Sequence, residues 1–197
     1  METQGTLFPV VPDYKKFFDS VRKSLFQGSL KTSQVEGLNT LLDATGGLPI
    51  KHRAYILATA YHETARTMQA ITEYGGKTYF DKYDTGKLAK DLGNTPEKDG
   101  DGFKYRGRGF VMITGYANYK KAGEKLNINL VDNPDLALDT KIAATILVRG
   151  STEAWFTKYK VSDFSDYINM RRVINGLDRA STIAGYAVAF EEALKQC

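Results

Sequence analysis

At 197 residues the chain is long enough for one well-cored domain, or one domain with two lobes about a cleft, and too short for two ordinary domains. A composition of 42% hydrophobic, 12% aromatic and 25% charged residues excludes the disordered and fibrous classes. The formal net charge of +4 and a pI near 9.0 favour approach to an anionic polymer, but Lys120-Lys121 and Arg171-Arg172 stand as isolated pairs, so no nucleic-acid partner is expected. The lone cysteine, Cys197, excludes an intrachain disulfide. Met1 to Val11 lacks a basic segment followed by an apolar run, and no stretch approaches the ~18 apolar residues of a membrane span. The expectation is therefore synthesis in a cytoplasm, without a signal peptide and without stable membrane insertion.

Along the chain, Tyr14, Phe17, Phe18, Val21 and Leu25 follow a helical period behind Pro12-Asp13, which predicts a first helix. Ser33 with Glu36 three residues on has the form of a capping box, ahead of a stripe of Val35, Leu38, Leu41 and Leu42 that ends before Gly46-Gly47. A third helix is predicted from about Lys51 to Arg66, with Ala54, Leu57, Ala58, Tyr61 and Ala65 on its core face. From Thr67 to Thr114 the glycines prevent any long helix, and Ile71 to Tyr74 and Phe110 to Ile113 read as short strands. This stretch of roughly 45 residues exceeds the ~12 to 15 usual for structureless loops, which marks it as functional. Helical periodicity returns near Tyr116 to Leu126, over Thr140 to Val148, and in two amphipathic segments, Ser162 to Ile174 and Arg179 to Leu194.

Most familiar chemistries fail on spacing. His62-Glu63 would need a second His at position 66 to form a helical zinc motif, and that residue is Arg66. Asp99-Gly100-Asp101-Gly102 resembles a calcium loop, yet Arg108 stands where the bidentate Glu belongs. No nucleophile elbow is present, and Gly107-Arg108-Gly109 lacks the dinucleotide spacing. Hydrolysis by two carboxylates across a cleft survives this elimination. Glu63 stands out because it closes an otherwise apolar helix, where partial desolvation would favour the protonated form that a general acid needs. Glu73, ten residues on, is by itself an ordinary loop acid.

Tyr61-His62-Glu63-Thr64, the run Tyr105-Arg106-Gly107-Arg108-Gly109-Phe110-Val111-Met112-Ile113-Thr114 with Asn118-Tyr119, and Val173-Ile174-Asn175-Gly176 followed by Asp178-Arg179 together resemble the signature of the family-19 glycoside hydrolases. That family contains plant-type chitinases and many bacteriophage endolysins. The likeness spans roughly residues 50 to 195. It implies that Glu63 is the catalytic acid, Glu73 the base for the attacking water, and Thr114 the hydroxyl that holds this water. It further implies that Asn118 and Asn175 bind substrate, that Tyr105 lines the cleft, and that Arg179 orients the carboxylates. Met112 stands where many members carry Gln, and Phe110 where plant members carry Pro. The short spacing from Glu63 to Glu73 and the helical lead-in from Tyr14 to Leu42 resemble the phage enzymes more than the plant ones.

The expected fold is mainly α, lysozyme-like, a two-lobed helical domain with a small β element lining a cleft. The expected organisation is a single catalytic domain over 1–197, with a helical lead-in at 1–48 and a catalytic core at 49–197. The expected function is that of an endolysin or muramidase cutting β-1,4 bonds of bacterial peptidoglycan, with a chitinase acting on N-acetylglucosamine polymers as the alternative. No cofactor and no metal are expected, and the protein should be a monomer whose partners are glycan strands. A phage enzyme of this kind would reach the wall after release from the host cytoplasm. A glycan-binding module without catalysis is the rival from another class, and a pair of acids beside a hydroxyl argues against it, since binding alone needs no acid and base.

Overall fold

The computed structural model describes residues 13–197. Pro12 and the Met1 to Val11 segment lie outside them. Helix α1 (Tyr14–Ser24) is capped by Asp13, whose carboxylate accepts from the Lys15 amide at 3.0 Å, and it buries Phe17 and Val21. Helix α2 (Thr32–Ala44) begins before Ser33. The Gln34 side chain reaches back to accept from the Lys31 amide at 2.8 Å, so the capping interaction is made two residues earlier than the Ser33 and Glu36 pattern predicts, and Ser33 lies inside the first turn.

Helix α3 (Ile50–Glu63) is the central element, buried without interruption from Ala54 to Tyr61. It packs along α9 (Ala180–Leu194), where the Tyr61 ring meets Tyr186 and Phe190 edge-on, with Phe26 on a further side. The helix stops three residues short of the predicted Arg66 because Ala65 and Arg66 take left-handed backbone angles (φ 48° and 70°), which cannot continue an α-helix. Thr64 braces the stop, donating to the Ala60 carbonyl at 2.7 Å and accepting from the Met68 amide at 3.1 Å. Glu63 is thereby fixed as the last side chain of the buried helix.

The glycine-rich stretch is more ordered than its composition suggests. Strand β1 (Ile71–Thr72) pairs antiparallel with β2 (Arg108–Gly109), with Ile71 opposite Gly109 and Thr72 opposite Arg108. The second strand thus precedes the predicted Phe110 to Ile113. That segment is instead a tight return, closed by paired hydrogen bonds between Arg108 and Ile113 and turned by left-handed Gly109 and Met112 (φ 81° and 54°). Between the strands lie a 3-10 helix at Lys77–Tyr83, helix α4 (Gly86–Leu92) and helix α5 (Asp101–Lys104). The glycines set the ends of these short helices: left-handed Gly93 (φ 72°) closes α4 at little steric cost.

Helix α6 (Tyr116–Leu126) and helix α7 (Thr140–Thr152) follow, the latter started by Asp139 accepting from the Lys141 and Ile142 amides. The predicted helix over Ser162 to Ile174 is broken into short pieces around α8 (Tyr167–Met170). Phe164 is extended, and Asp166 accepts from the Asn169 amide at 2.9 Å, which starts a new helix rather than continuing one. Side chains from α1, α2, α3, α6, α7 and α9 share one hydrophobic core. The architecture is mainly α, with a helical body on one side of a cleft and the segment carrying the two strands and α4 on the other. No helix among the described residues is long and apolar enough to cross a membrane.

Candidate active site

A cleft of about 300 Å³ opens where these parts meet. Glu63 at the end of α3, Thr114 after the tight return, Asn118 on α6 and Asn175 all line it. Glu63 is the one carboxylate among the residues lining this cleft, and a second, Glu73, is bound to the lining residue Tyr83; another groove, about 450 Å³ between α6 and residues 127–131, has Glu124 as its one lining carboxylate.

Glu63 Oε1 accepts a 2.9 Å hydrogen bond from Arg171 Nη1, and the Arg171 side chain is only 3% exposed. The guanidinium is fixed by a second bond, from Nε to the Asp178 carbonyl at 3.0 Å. The cation that meets Glu63 is therefore Arg171 and not Arg179, which lies exposed at the start of α9 with a left-handed backbone (φ 56°). The apolar pattern of α3 conceals this partner, because the guanidinium arrives from a segment 108 positions away. Beside Glu63, burial pulls the His62 imidazole below its ordinary range.

Glu73 extends the strand pairing by one residue, its amide donating to the Gly107 carbonyl at 2.8 Å. Its carboxylate is held on both oxygens: Oε1 accepts from the Tyr83 hydroxyl at 3.1 Å and Oε2 from the Gly107 amide at 3.2 Å. Lys82 Nζ is 3.9 Å from Oε1. Tyr83 also lines the cleft, so the second carboxylate is tied to the cleft wall through it. Burial and then the negative charge of Glu73 push the Tyr83 phenol up, which keeps it a neutral donor to that carboxylate.

Thr114 Oγ1 donates to the Met112 carbonyl at 2.9 Å, and the Thr114 carbonyl accepts from Asn118 Nδ2 at 2.8 Å. With its proton committed inward, the Thr114 hydroxyl presents lone pairs to the cleft as an acceptor. Tyr105, expected in the cleft, is buried in the core: its ring meets Tyr116 edge-on at 5.5 Å and its hydroxyl donates to the Val131 carbonyl. Its expected place in the cleft is implied by the family resemblance alone, and no local pattern in the sequence sets which way its side chain faces. Arg171 and Tyr83 were not singled out from sequence. Arg171 was visible only as half of a basic pair and Tyr83 only as one aromatic among several. Among the described residues no group of three or more His, Cys, Asp or Glu could hold a metal ion.

The family model for chitinase class I, glycosyl hydrolase family 19, matches residues 35–187. The chain belongs to glycosyl hydrolase family 19. It is therefore a glycoside hydrolase by family, and the match begins within α2 and runs through the whole cleft. A family-19 domain-containing protein of Haemophilus influenzae is 35% identical over 89 residues, covering 45% of this chain and 41% of that protein. Chitinase 8 of Oryza sativa subsp. japonica is 40% identical over 52 residues, 26% of this chain and 18% of that one. The matched stretches thus span less than half the length of these relatives. Among solved structures, a bacterial family-19 chitinase superposes with a TM-score of 0.63 at 20% identity, covering 92% of this chain and 94% of its own. Chitinase C, crystallised as a point mutant, gives 0.59 at 19% identity, covering 98% and 79%. These two likenesses are of fold, and they agree with the lysozyme-like expectation.

Proposed function

We propose that this family-19 hydrolase is a muramidase of endolysin type, cutting the β-1,4 bond between N-acetylmuramic acid and N-acetylglucosamine in peptidoglycan. The observation that carries the hydrolytic part is the convergence of Glu63 and Thr114 on one cleft, with Glu73 bound to the cleft residue Tyr83. In this reading Glu63 protonates the glycosidic oxygen as the bond to the leaving sugar breaks. Arg171, anchored on the Asp178 carbonyl, stabilises the carboxylate that Glu63 becomes once its proton has moved. Glu73 takes one proton of the attacking water. The other hydrogen of that water is accepted by Thr114 Oγ1, whose own proton is occupied by the Met112 carbonyl. A lone pair of the water oxygen is then aimed at the anomeric carbon. Asn118 and Asn175 supply amide groups to the sugar. Arg179 and Tyr105 have no part in this scheme.

Peptidoglycan is favoured by the net charge of +4, which attracts an anionic wall, and by the compact spacing of Glu63 and Glu73. Chitin is the second reading, favoured by the relatives and fold neighbours that are themselves named chitinases. Digests of purified murein and of chitin, borohydride-reduced and analysed by mass spectrometry, separate the two. The expected product is a fragment with a reduced muramic acid end. The Glu63→Gln protein serves as blank. Chitin cleavage with untouched murein would replace this reading by the second.

A further inference from the structure

Several residues lining the cleft are apolar. Leu88 on α4 is 44% exposed, and Met112, partly exposed, lines the same cleft. Met112 is held in a left-handed conformation (φ 54°), unusual for an unbranched apolar side chain. The Arg108–Ile113 pair and the bond from Thr114 to the Met112 carbonyl fix it there. Its terminal methyl carbon and the Glu73 Oε2 atom lie 3.3 and 3.1 Å from the same point, where a Cβ on Gly107 would stand. The methyl of Met112 and the second carboxylate thus flank the same glycine, no farther apart than the sum of those two distances. Among the described residues no lysine or arginine lines this cleft.

We propose that Met112 and Leu88 form the contact surface for the 3-O-lactyl ether of a muramyl residue, which makes them specificity-determining residues for peptidoglycan over chitin. This rests on the reading of Glu73 as the base, because the base faces the sugar whose anomeric carbon is attacked. Met112 therefore borders that sugar. In chitin this sugar carries a free 3-hydroxyl, with a donor and acceptors that lose water against a thioether and a leucine and find no partner. In a muramyl residue the hydroxyl proton is replaced by a lactyl group whose methyl is buried favourably against the same surface. A free lactyl carboxylate would meet no cation among the lining residues and would stand beside the Glu73 carboxylate, whose nearest cation, Lys82 at 3.9 Å, is already paired with it. The ligand that fits is the lactyl group amidated by its stem peptide, which is uncharged at that point.

The test compares kcat/KM for peptide-bearing murein oligomers with kcat/KM for N-acetylglucosamine oligomers of equal length, in the wild type, Met112→Gln and Leu88→Gln. Each variant is expected to lower the murein-to-chitin ratio about tenfold, the scale of a small apolar contact in a pocket. Murein stripped of its peptides by an amidase should be cut more slowly than intact strands. Wild-type cleavage of both substrates with an unchanged ratio in both variants would overturn the contact and leave the muramidase reading standing. Failure of the wild type to cut murein would overturn both. Should Met112→Gln melt early by circular dichroism, Leu88→Gln, at an exposed helical position, decides alone.

Discussion

Arg171 donates to Glu63 at 2.9 Å from a side chain that is 3% exposed, while Glu63 is 19% exposed. The cation is thus on the protein side of the acid and the cleft is on the other. Such a pair is costly to break from one end, because the remaining charge is left without its partner. It also fixes the carboxyl rotamer at the end of α3, with one oxygen held and the other left for the glycosidic oxygen.

Replacing Arg171 by Met should lower thermal stability by about 3 kcal/mol and reduce kcat by at least about tenfold, with a smaller change in KM. Arg171→Lys should fold better yet remain impaired, since an ammonium cannot keep the planar two-point hold on Glu63 and the Asp178 carbonyl. Thermal melts with steady-state kinetics on murein check this. Wild-type kcat in both variants would show that the pair is only structural.

Thr114→Ala should lower kcat by about 10- to 100-fold, within the range of a removed transition-state contact, and leave KM nearly unchanged. Thr114→Ser keeps the hydroxyl and should retain most activity. The two variants, compared on one substrate, separate a water-positioning role from packing. Equal activity of the Ala variant and the wild type would assign the hydroxyl to the Met112 carbonyl alone.

Stability should fall steeply at alkaline pH. Tyr55 and Tyr119 are buried, and desolvation pushes each phenol up to about 12. A raised phenol pKa stabilises the fold fully below the unfolded value of 10.0, and that contribution is lost as pH rises from there through about 12. Each group accounts for roughly 2 to 3 kcal/mol across that window. The buried Tyr55 hydroxyl lies near Thr59 and Arg171 but makes no hydrogen bond of good geometry with them, so Tyr55→Phe should cost little at pH 7 and should shallow the decline of the melting temperature above pH 10. A slope identical to wild type would contradict this.

The helical body was legible because its signals are periodic and local. The stripes of α1, α3, α6 and α9 fall where apolar spacing places them, and Asp13 caps α1 as the Pro12-Asp13 start signal implies. Legibility failed where the chain turns. Nothing in the letters Phe110 to Ile113 announces that Met112 is left-handed, which converts a predicted strand into a return and moves β2 to Arg108–Gly109. The glycines between Thr67 and Thr114 prevent long helices, but two short helices and a 3-10 turn form between them. At the site, Glu63, Glu73 and Thr114 were chosen on the strength of motifs, and Glu63 and Thr114 line one cleft. Long-range partners were not legible. The choice between Arg171 and Arg179 depends on how the segment before α9 packs against α3, and Tyr83 becomes a donor to Glu73 only because the 3-10 helix turns it back toward β1.

Proton NMR of a freshly cleaved oligosaccharide tests the central claim most directly, since the anomer formed first records which atom attacked. Attack by a water lodged between Glu73 and Thr114, on the face opposite Glu63, inverts the anomeric centre. A nucleophilic Glu73 would form a glycosyl-enzyme and retain the configuration. The account predicts that the α-anomer appears first and then mutarotates. Initial appearance of the β-anomer would contradict the water-attack mechanism, even if Glu63 and Glu73 both prove essential.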